Sequence, residues 1–294
     1  MRVGIWIESS SLQGVVDQAG RAKEAGFGSV WAGQIFGLDT LSAFAVAGQH
    51  VGGLDWGTAV VPTYPRHPAA LAMQATTTNA AVGGRLTLGV GPSHQLVIED
   101  VYGLDYSKPG SHTEEYLRVL IPLVQQGKVA VDGAQVSAHM TLSTSDGLGC
   151  PVLVSALGPR LLRLAGELAD GTVTWMTGPK TIAEHISPTI RGAAARAGRP
   201  EPRVVMALPV AVTDDPAAAR DKAEQAFAVY GTLPAYRAML DREGAAGPAD
   251  VAVVGDAASV RGTIRSFQDH GVTEFVAAPF AERRRTVDAL AELL

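Results

Sequence analysis

The chain's strongest constraint is a run of eight apolar, strand-like segments, each followed by helix-like sequence. They are "RVGIWIE" (2–8), "GSVWAG" (28–33), "LDWGTAVV" (54–61), "RLTLGVG" (85–91), "PVLVSA" (151–156), "GTVTW" (171–175), "PRVVMALPVAV" (202–212) and "TEFVAAPF" (273–280). Strands that are apolar rather than alternating belong to parallel sheets covered on both faces. Eight such units can close into a (β/α)8 TIM barrel, and 294 residues suit that fold. An open doubly wound sheet is the rival arrangement. No linker or composition shift divides the chain, so residues 1–294 read as one domain.

Between the strands, helices are expected over residues 11–27, from about Leu38, over 68–82, from Thr113 to Gln126, from Pro159 to about Ala169 and over 179–197. Two stretches interrupt the repeat. Residues 128–143 read as a hairpin insertion with Asp132-Gly133 at its turn. Residues near 214–250 hold extra helices before the last unit.

Composition narrows the function. A net charge of −5 gives no clustered cations for phosphate backbones, so nucleic acid is not an expected partner. The densest basic run, Arg283-Arg284-Arg285, reads as a solvated helix face. The single cysteine, Cys150, precedes an apolar run and reads as a buried small hydrophobe. No His, Asp and Glu grouping has metal-ligand spacing, so no metal is expected. No apolar run reaches the roughly 20 residues that span a bilayer, and no leader-like segment opens the chain. A cytoplasmic protein without a membrane partner is the expectation.

Barrel chemistry sits at the C-terminal ends of the strands. Here those ends are Glu8-Ser9, Gly33-Gln34, Val60-Val61-Pro62, Gly91-Pro92-Ser93-His94, Ser155-Ala156-Leu157-Gly158-Pro159 and Trp175-Met176-Thr177-Gly178-Pro179. They offer few titratable groups but much glycine, proline and apolar surface. Such a rim suits a flat apolar ring system better than a hydrolytic site. "LGPRLL" and "TGPKTI" each place Gly-Pro at a helix start, where free backbone N–H groups attract phosphate or merely cap a helix. "GVGPSH" (89–94) lacks the third glycine of a dinucleotide fingerprint, and Pro92 removes a donor. Its glycines instead let a ligand approach the backbone closely.

Individual residues carry paired readings. Glu8 is an acid raised by apolar surroundings or a solvated rim carboxylate. His94 is a donor facing the ligand or a satisfied loop histidine. Asp39 is a ligand contact or the N-cap of "LDTLSAFA". His67 reads as structural, and His112 as the cap of the helix after the long loop 92–111. Trp6, Trp31 and Trp175 read as core, with Trp175 nearest a strand end.

Residues 57–94, "GTAVVPTYPRHPAALAMQATTTNAAVGGRLTLGVGPSH", resemble the long signature of the bacterial luciferase-like superfamily. Residues 156–179, "ALGPRLLRLAGELADGTVTWMTGP", are similar to its second signature. The cast of both is that of the actinobacterial coenzyme F420-dependent branch. That resemblance implies a TIM barrel carrying coenzyme F420 across its strand ends, with FMN the alternative cofactor, and a homodimer. It implies a non-prolyl cis peptide at Ala59–Val60, behind the ring. The cofactor contacts would then be Asp39, Ala59, Val60, Pro62, Gly91, Pro92, Ser93, Ala156, Leu157, Pro159, Trp175 and Met176. The phosphate tail would meet the loops after the fifth and sixth strands at Gly158 and at Thr177-Gly178.

The sugar-phosphate dehydrogenases of that branch carry an Asp-His pair after the second strand, with His as base. Gln34 and Ile35 stand there in this chain, and neither accepts a proton from an alcohol. The expected reaction is therefore hydride transfer from reduced F420 to a C=C or C=N bond of a small-molecule substrate, with Glu8, Gln34 and His94 as the chemical candidates. An FMN-dependent monooxygenase and a non-catalytic flavin-binding protein are the alternatives.

Overall fold

The computed structural model describes residues 1–294. Eight parallel strands form the ring: β1 (Arg2–Trp6), β2 (Ser29–Ala32), β3 (Asp55–Thr58), β4 (Leu86–Gly91), β5 (Val152–Val154), β6 (Gly171–Trp175), β7 (Arg203–Val212) and β8 (Glu274–Pro279). Each pairs in parallel with the next, and β8 returns to β1 through Val3 opposite Phe275. The ring is closed. The eight-stranded ring itself has no open edge, and the rival open sheet is ruled out.

Helices follow the strands as the periodicity predicts, over Leu12–Glu24, Thr40–His50, Pro68–Ala81, Pro109–Gln126 and Pro159–Leu168. The 179–197 span is one helical run, with a π-turn at Ile182–Ile186 between Pro179–Thr181 and Ser187–Arg196. The helix expected from Thr113 starts at Pro109, because proline suits a first helical position. His112 therefore lies inside that helix and caps nothing. Its ring is stacked 3.8 Å from that of Tyr64 and lies 3.1 Å from Thr63 Oγ1. His67 does cap a helix, accepting from the Ala69 N–H at 3.2 Å.

The hairpin pairs Lys128–Val131 with Ala138–Thr141, but six residues join the strands rather than a two-residue Asp132-Gly133 turn. The extra helices are Pro216–Thr232 and Pro234–Glu243. A short strand unseen in the sequence, Val253–Gly255, extends the sheet beside the end of β7.

Two cores result. The large one lies between barrel and helices and includes Cys150, Leu88, Val154 and Phe275. A small one fills the lumen with Trp31, Leu153, Val173, Val205, Ala207 and Val276. Trp31 fits only because position 57 carries no side chain: a Cβ there would strike its ring. Below it lies Glu274, only 2% exposed. Its carboxylate accepts from Ser29 Oγ (2.6 Å), Trp31 Nε1 (2.9 Å) and Arg203 Nη2 (2.9 Å), and Arg203 also donates to Thr87 Oγ1 at 3.0 Å. One buried carboxylate thus ties β2, β7 and β8 directly, and β4 through Arg203.

Removing one partner of a buried ion pair strands the other, at a cost of about 3–5 kcal/mol. Glu274→Ala is expected to lose stability of that order in urea titrations, with the fold retained. A loss below about 1 kcal/mol would show that the network does not hold the barrel floor together.

Candidate active site

A cavity of about 490 Å³ opens at the C-terminal ends of the strands, within the range of small-molecule sites. Its bottom is Trp6, Val173, Thr174 and Ala207 of the lumen, and one side is Ala59, Val60 and Pro62. The Ala59–Val60 peptide is cis, at the position the resemblance implies. The segment Val61–Pro62 then resumes pairing with β4.

Close approach here is between protein parts. A Cβ on Gly89 would collide with the Thr58 carbonyl, and one on Gly91 would sit 3.0 Å from Val60 Cγ2 and from Ser155 Cβ. The expectation that the β4 glycines open backbone to a ligand is therefore corrected: they make room for the bulge. Gly91 and Pro92 are buried and do not line the cavity, whereas Ser93, in a left-handed conformation (φ 63°), does.

The opposite wall is aromatic. Trp175 lies 5.7 Å from Trp6, 5.9 Å from Phe227 and 6.0 Å from Tyr230, between ring centroids. Tyr236 packs 5.1 Å from Tyr230 and 5.5 Å from His94, and Phe280 lies 5.7 Å from Phe227. Phe227, Tyr230 and Tyr236 come from the extra helices, and sequence reasoning missed all three. The signal was Phe227 and Tyr230 three residues apart on one helix face, but core helices show the same spacing. Phe280 lies one residue past β8, within the last strand-like run. Trp175 is a cavity wall more than a core residue, and its indole N–H is buried and makes no hydrogen bond of normal length.

Of the chemical candidates, His94 and Glu8 reach the cavity freely. His94 is half-buried, and burial lowers its pKa, so the neutral imidazole prevails at pH 7. Glu8 is exposed at the rim, as the solvated-carboxylate reading has it. Gln34 lines the cavity but is engaged: in the amide orientation that satisfies both neighbours, it donates to Asp39 Oδ2 and accepts from Arg66 Nη2, each at 3.2 Å.

Asp39 lies off the cavity. It caps the helix Thr40–His50 through the Ser42 N–H (2.9 Å) and pairs with Arg66 at 2.8 Å. Burial opposes its ionisation, but the hydrogen bonds from Arg66 and Ser42 prevail and hold its pKa below the ordinary value. Arg283 is exposed, as are Arg284 and Arg285, but it also lines the cavity rim and donates to Gln18 Oε1 (2.7 Å) and the Trp6 carbonyl (3.2 Å).

The two Gly-Pro helix starts differ. Gly158 and Pro159 are exposed, no side chain caps them, and a Cβ at 158 would meet nothing. Ala156 and Leu157 are buried behind them, the Leu157 carbonyl facing His185 Nε2 at 2.8 Å. Met176, Thr177 and Gly178 are buried as well. At this second start the Glu243 carboxylate accepts from the N–H groups of Thr181 (2.7 Å) and Lys180 (3.2 Å). It lies where a Gly178 Cβ would point. A carboxylate of the chain itself thus stands in the expected phosphate cradle.

No group of three His, Cys, Asp or Glu residues has the arrangement of a metal site. No helix is long and apolar enough to cross a membrane.

With fold and cavity in view, the lineage follows. The family model "Luciferase-like monooxygenase" matches residues 1–274, and the chain belongs to that family. Among its relatives is a 5,10-methylenetetrahydromethanopterin reductase of Methanolobus tindarius. It is 28% identical over 250 residues, 83% of this chain and 75% of the relative. An F420-dependent glucose-6-phosphate dehydrogenase of Beutenbergia cavernae is 30% identical over 220 residues, 68% of this chain and 63% of the relative. The solved coenzyme F420-dependent tetrahydromethanopterin reductase of Methanopyrus kandleri superposes with a TM-score of 0.85 at 19% identity. That match covers 100% of this chain and 98% of that one. The FMN complex of the oxygenating constituent of 3,6-diketocamphane monooxygenase from Pseudomonas putida gives 0.78 at 14% identity, covering 99% and 97%. These two structures share the fold.

Both His94 and His112 have pKa values lowered by burial, so the folded chain binds fewer protons there than the unfolded chain. Their contribution to stability is complete above the ordinary value of about 6.5 and is lost as pH falls below it. The melting temperature is expected to decline between pH 6.5 and 5, and His94→Gln to shallow that decline. A melting temperature flat over this window would contradict the assignment.

Proposed function

We propose that this chain is a coenzyme F420-dependent reductase that saturates a C=C or C=N bond of a small molecule. The observation that carries this reading is the cavity itself, bounded by the Ala59–Val60 bulge on one side and an aromatic wall on the other. A flat ring system fits between such walls, and the Trp175 N–H, which makes no hydrogen bond of normal length and has only the Tyr230 hydroxyl nearby, supplies a donor. F420-dependent relatives support the choice of cofactor, while FMN-bound structural neighbours keep FMN as the alternative.

When bound in reduced form, the deazaflavin supplies a hydride. The chain's own share is orientation, exclusion of water and a proton. Ala59, Val60, Pro62 and Ser93 would hold the ring from one side and Trp175 from the other. The exposed helix start at Gly158 and Pro159 would meet the phosphate, and the Thr177-Gly178 start would do so once Glu243 withdraws. Among the cavity-lining titratable side chains, His94 is the half-buried one whose ordinary pKa lies near neutrality, and it would carry the proton or hydrogen-bond the developing negative charge. Gln34, tied to Asp39 and Arg66, would fix the neighbouring loop rather than act as a base. The absence of a base there favours reduction over alcohol oxidation.

Two measurements test the reading. Quenching of F420 fluorescence by the purified chain is expected to saturate, and tight FMN binding without F420 binding would overturn the cofactor choice. Glu243→Gln removes a negative charge from the second helix start and is expected to tighten F420 binding about threefold or more. An unchanged dissociation constant would mean that the phosphate never uses that cradle.

A further inference from the structure

The cavity mouth is as apolar as its walls. Phe36 is 65% exposed, Ile35 61%, Leu96 58%, Val229 52% and Tyr102 39%, and all five line the same opening. They arrive from three separate parts of the chain: the loop after β2, the loop after β4 and the helix Pro216–Thr232. Scattered exposed apolar side chains are ordinary, but a contiguous set around a concave opening marks a binding surface.

Charge is nearly missing from the site. The cavity holds no lysine, and its one arginine, Arg283, already donates to Gln18 and the Trp6 carbonyl. The one carboxylate, Glu8, would repel an anion. A phosphorylated or carboxylated substrate would find no free cation to replace its hydration, which makes its burial costly.

Size points the same way. About 490 Å³ lies in the lower half of the range for drug-sized ligands, and on the reading above the cofactor ring takes part of it. A substrate with any bulk must then extend outwards over the mouth.

We infer that the substrate is an uncharged, largely apolar molecule larger than a single ring, its reducible end in the cavity and its body covering Phe36, Ile35, Leu96 and Val229. This rests on the reading of the site as a reductive one, yet its binding arm is independent of the cofactor. A second copy of the chain is the other possible cover. The mouth is concave and shares its side chains with the cavity wall, which favours a ligand that fills both.

The experiment uses three probes on the intact chain, by calorimetry with and without F420: progesterone as a four-ring enone, cyclohex-2-enone as a one-ring enone, and glucose 6-phosphate. Progesterone is expected to bind at least about tenfold more tightly than cyclohex-2-enone, by apolar contact alone, and glucose 6-phosphate not to bind. Phe36→Ser and Val229→Ser are each expected to weaken progesterone binding about tenfold and to leave cyclohex-2-enone unchanged. Both side chains are more than half exposed, so the variants should melt like the parent. Leu96→Ser serves as a third variant if either does not.

Equal affinity for the two enones, no binding of either, or binding of glucose 6-phosphate would overturn the inference. So would sedimentation showing that the rim variants break a dimer while leaving enone affinity untouched. Failure of F420 to bind, with the ring-size dependence intact, would defeat the proposed reaction and leave this inference standing.

Discussion

Everything at the mouth depends on closure of the ring, and closure depends on what fills the lumen. Eight short strands leave a channel that must be packed rather than hollow. Trp31 fills it, the missing side chain at position 57 admits it, and the Glu274 carboxylate fixes it from below while holding Arg203 and Ser29. A charge so deeply buried is tolerable only because each carboxylate oxygen accepts from a donor. The plug leaves the upper lumen free, so Val173 and Ala207 of the small core, with Trp6 packed on it, also form the bottom of a cavity.

The extra helices serve the same site twice. Tyr230 and Tyr236 of Pro216–Thr232 and Pro234–Glu243 build the aromatic wall, and Glu243, the last residue of the second helix, occupies the N–H groups at Lys180 and Thr181. Wall and cradle are therefore mechanically joined through about two turns of helix. An anion that took the cradle would have to displace the Glu243 carboxylate, which belongs to the helix that carries Tyr236.

Much was legible before the fold was known. The eight apolar runs are local patterns, and a parallel ring satisfies all of them at once. The Ala59–Val60 cis bond followed from the family resemblance of residues 57–94, and the helix cap was one of the two readings of Asp39. The misses share a cause. His112 was read as a cap because the proline that starts its helix lies three residues upstream, and it stacks on Tyr64, 48 positions earlier in the chain. Arg283 is exposed, as its basic run suggests, but its place at the cavity rim was hidden because its partners Gln18 and Trp6 lie at the other end of the sequence.

The sequence by itself determined the class of fold, the end of the barrel where chemistry belongs and the lack of a base at Gln34 and Ile35. Hydrophobic periodicity and residue type are properties of neighbours along the chain, and they can be read there. Tertiary structure alone decided which rim residues share one cavity, that Glu243 stands in a cradle the motif reserved for phosphate, and that the β4 glycines make way for protein. Those outcomes are set by distances between residues tens to hundreds of positions apart, which barrel closure creates and no local pattern records.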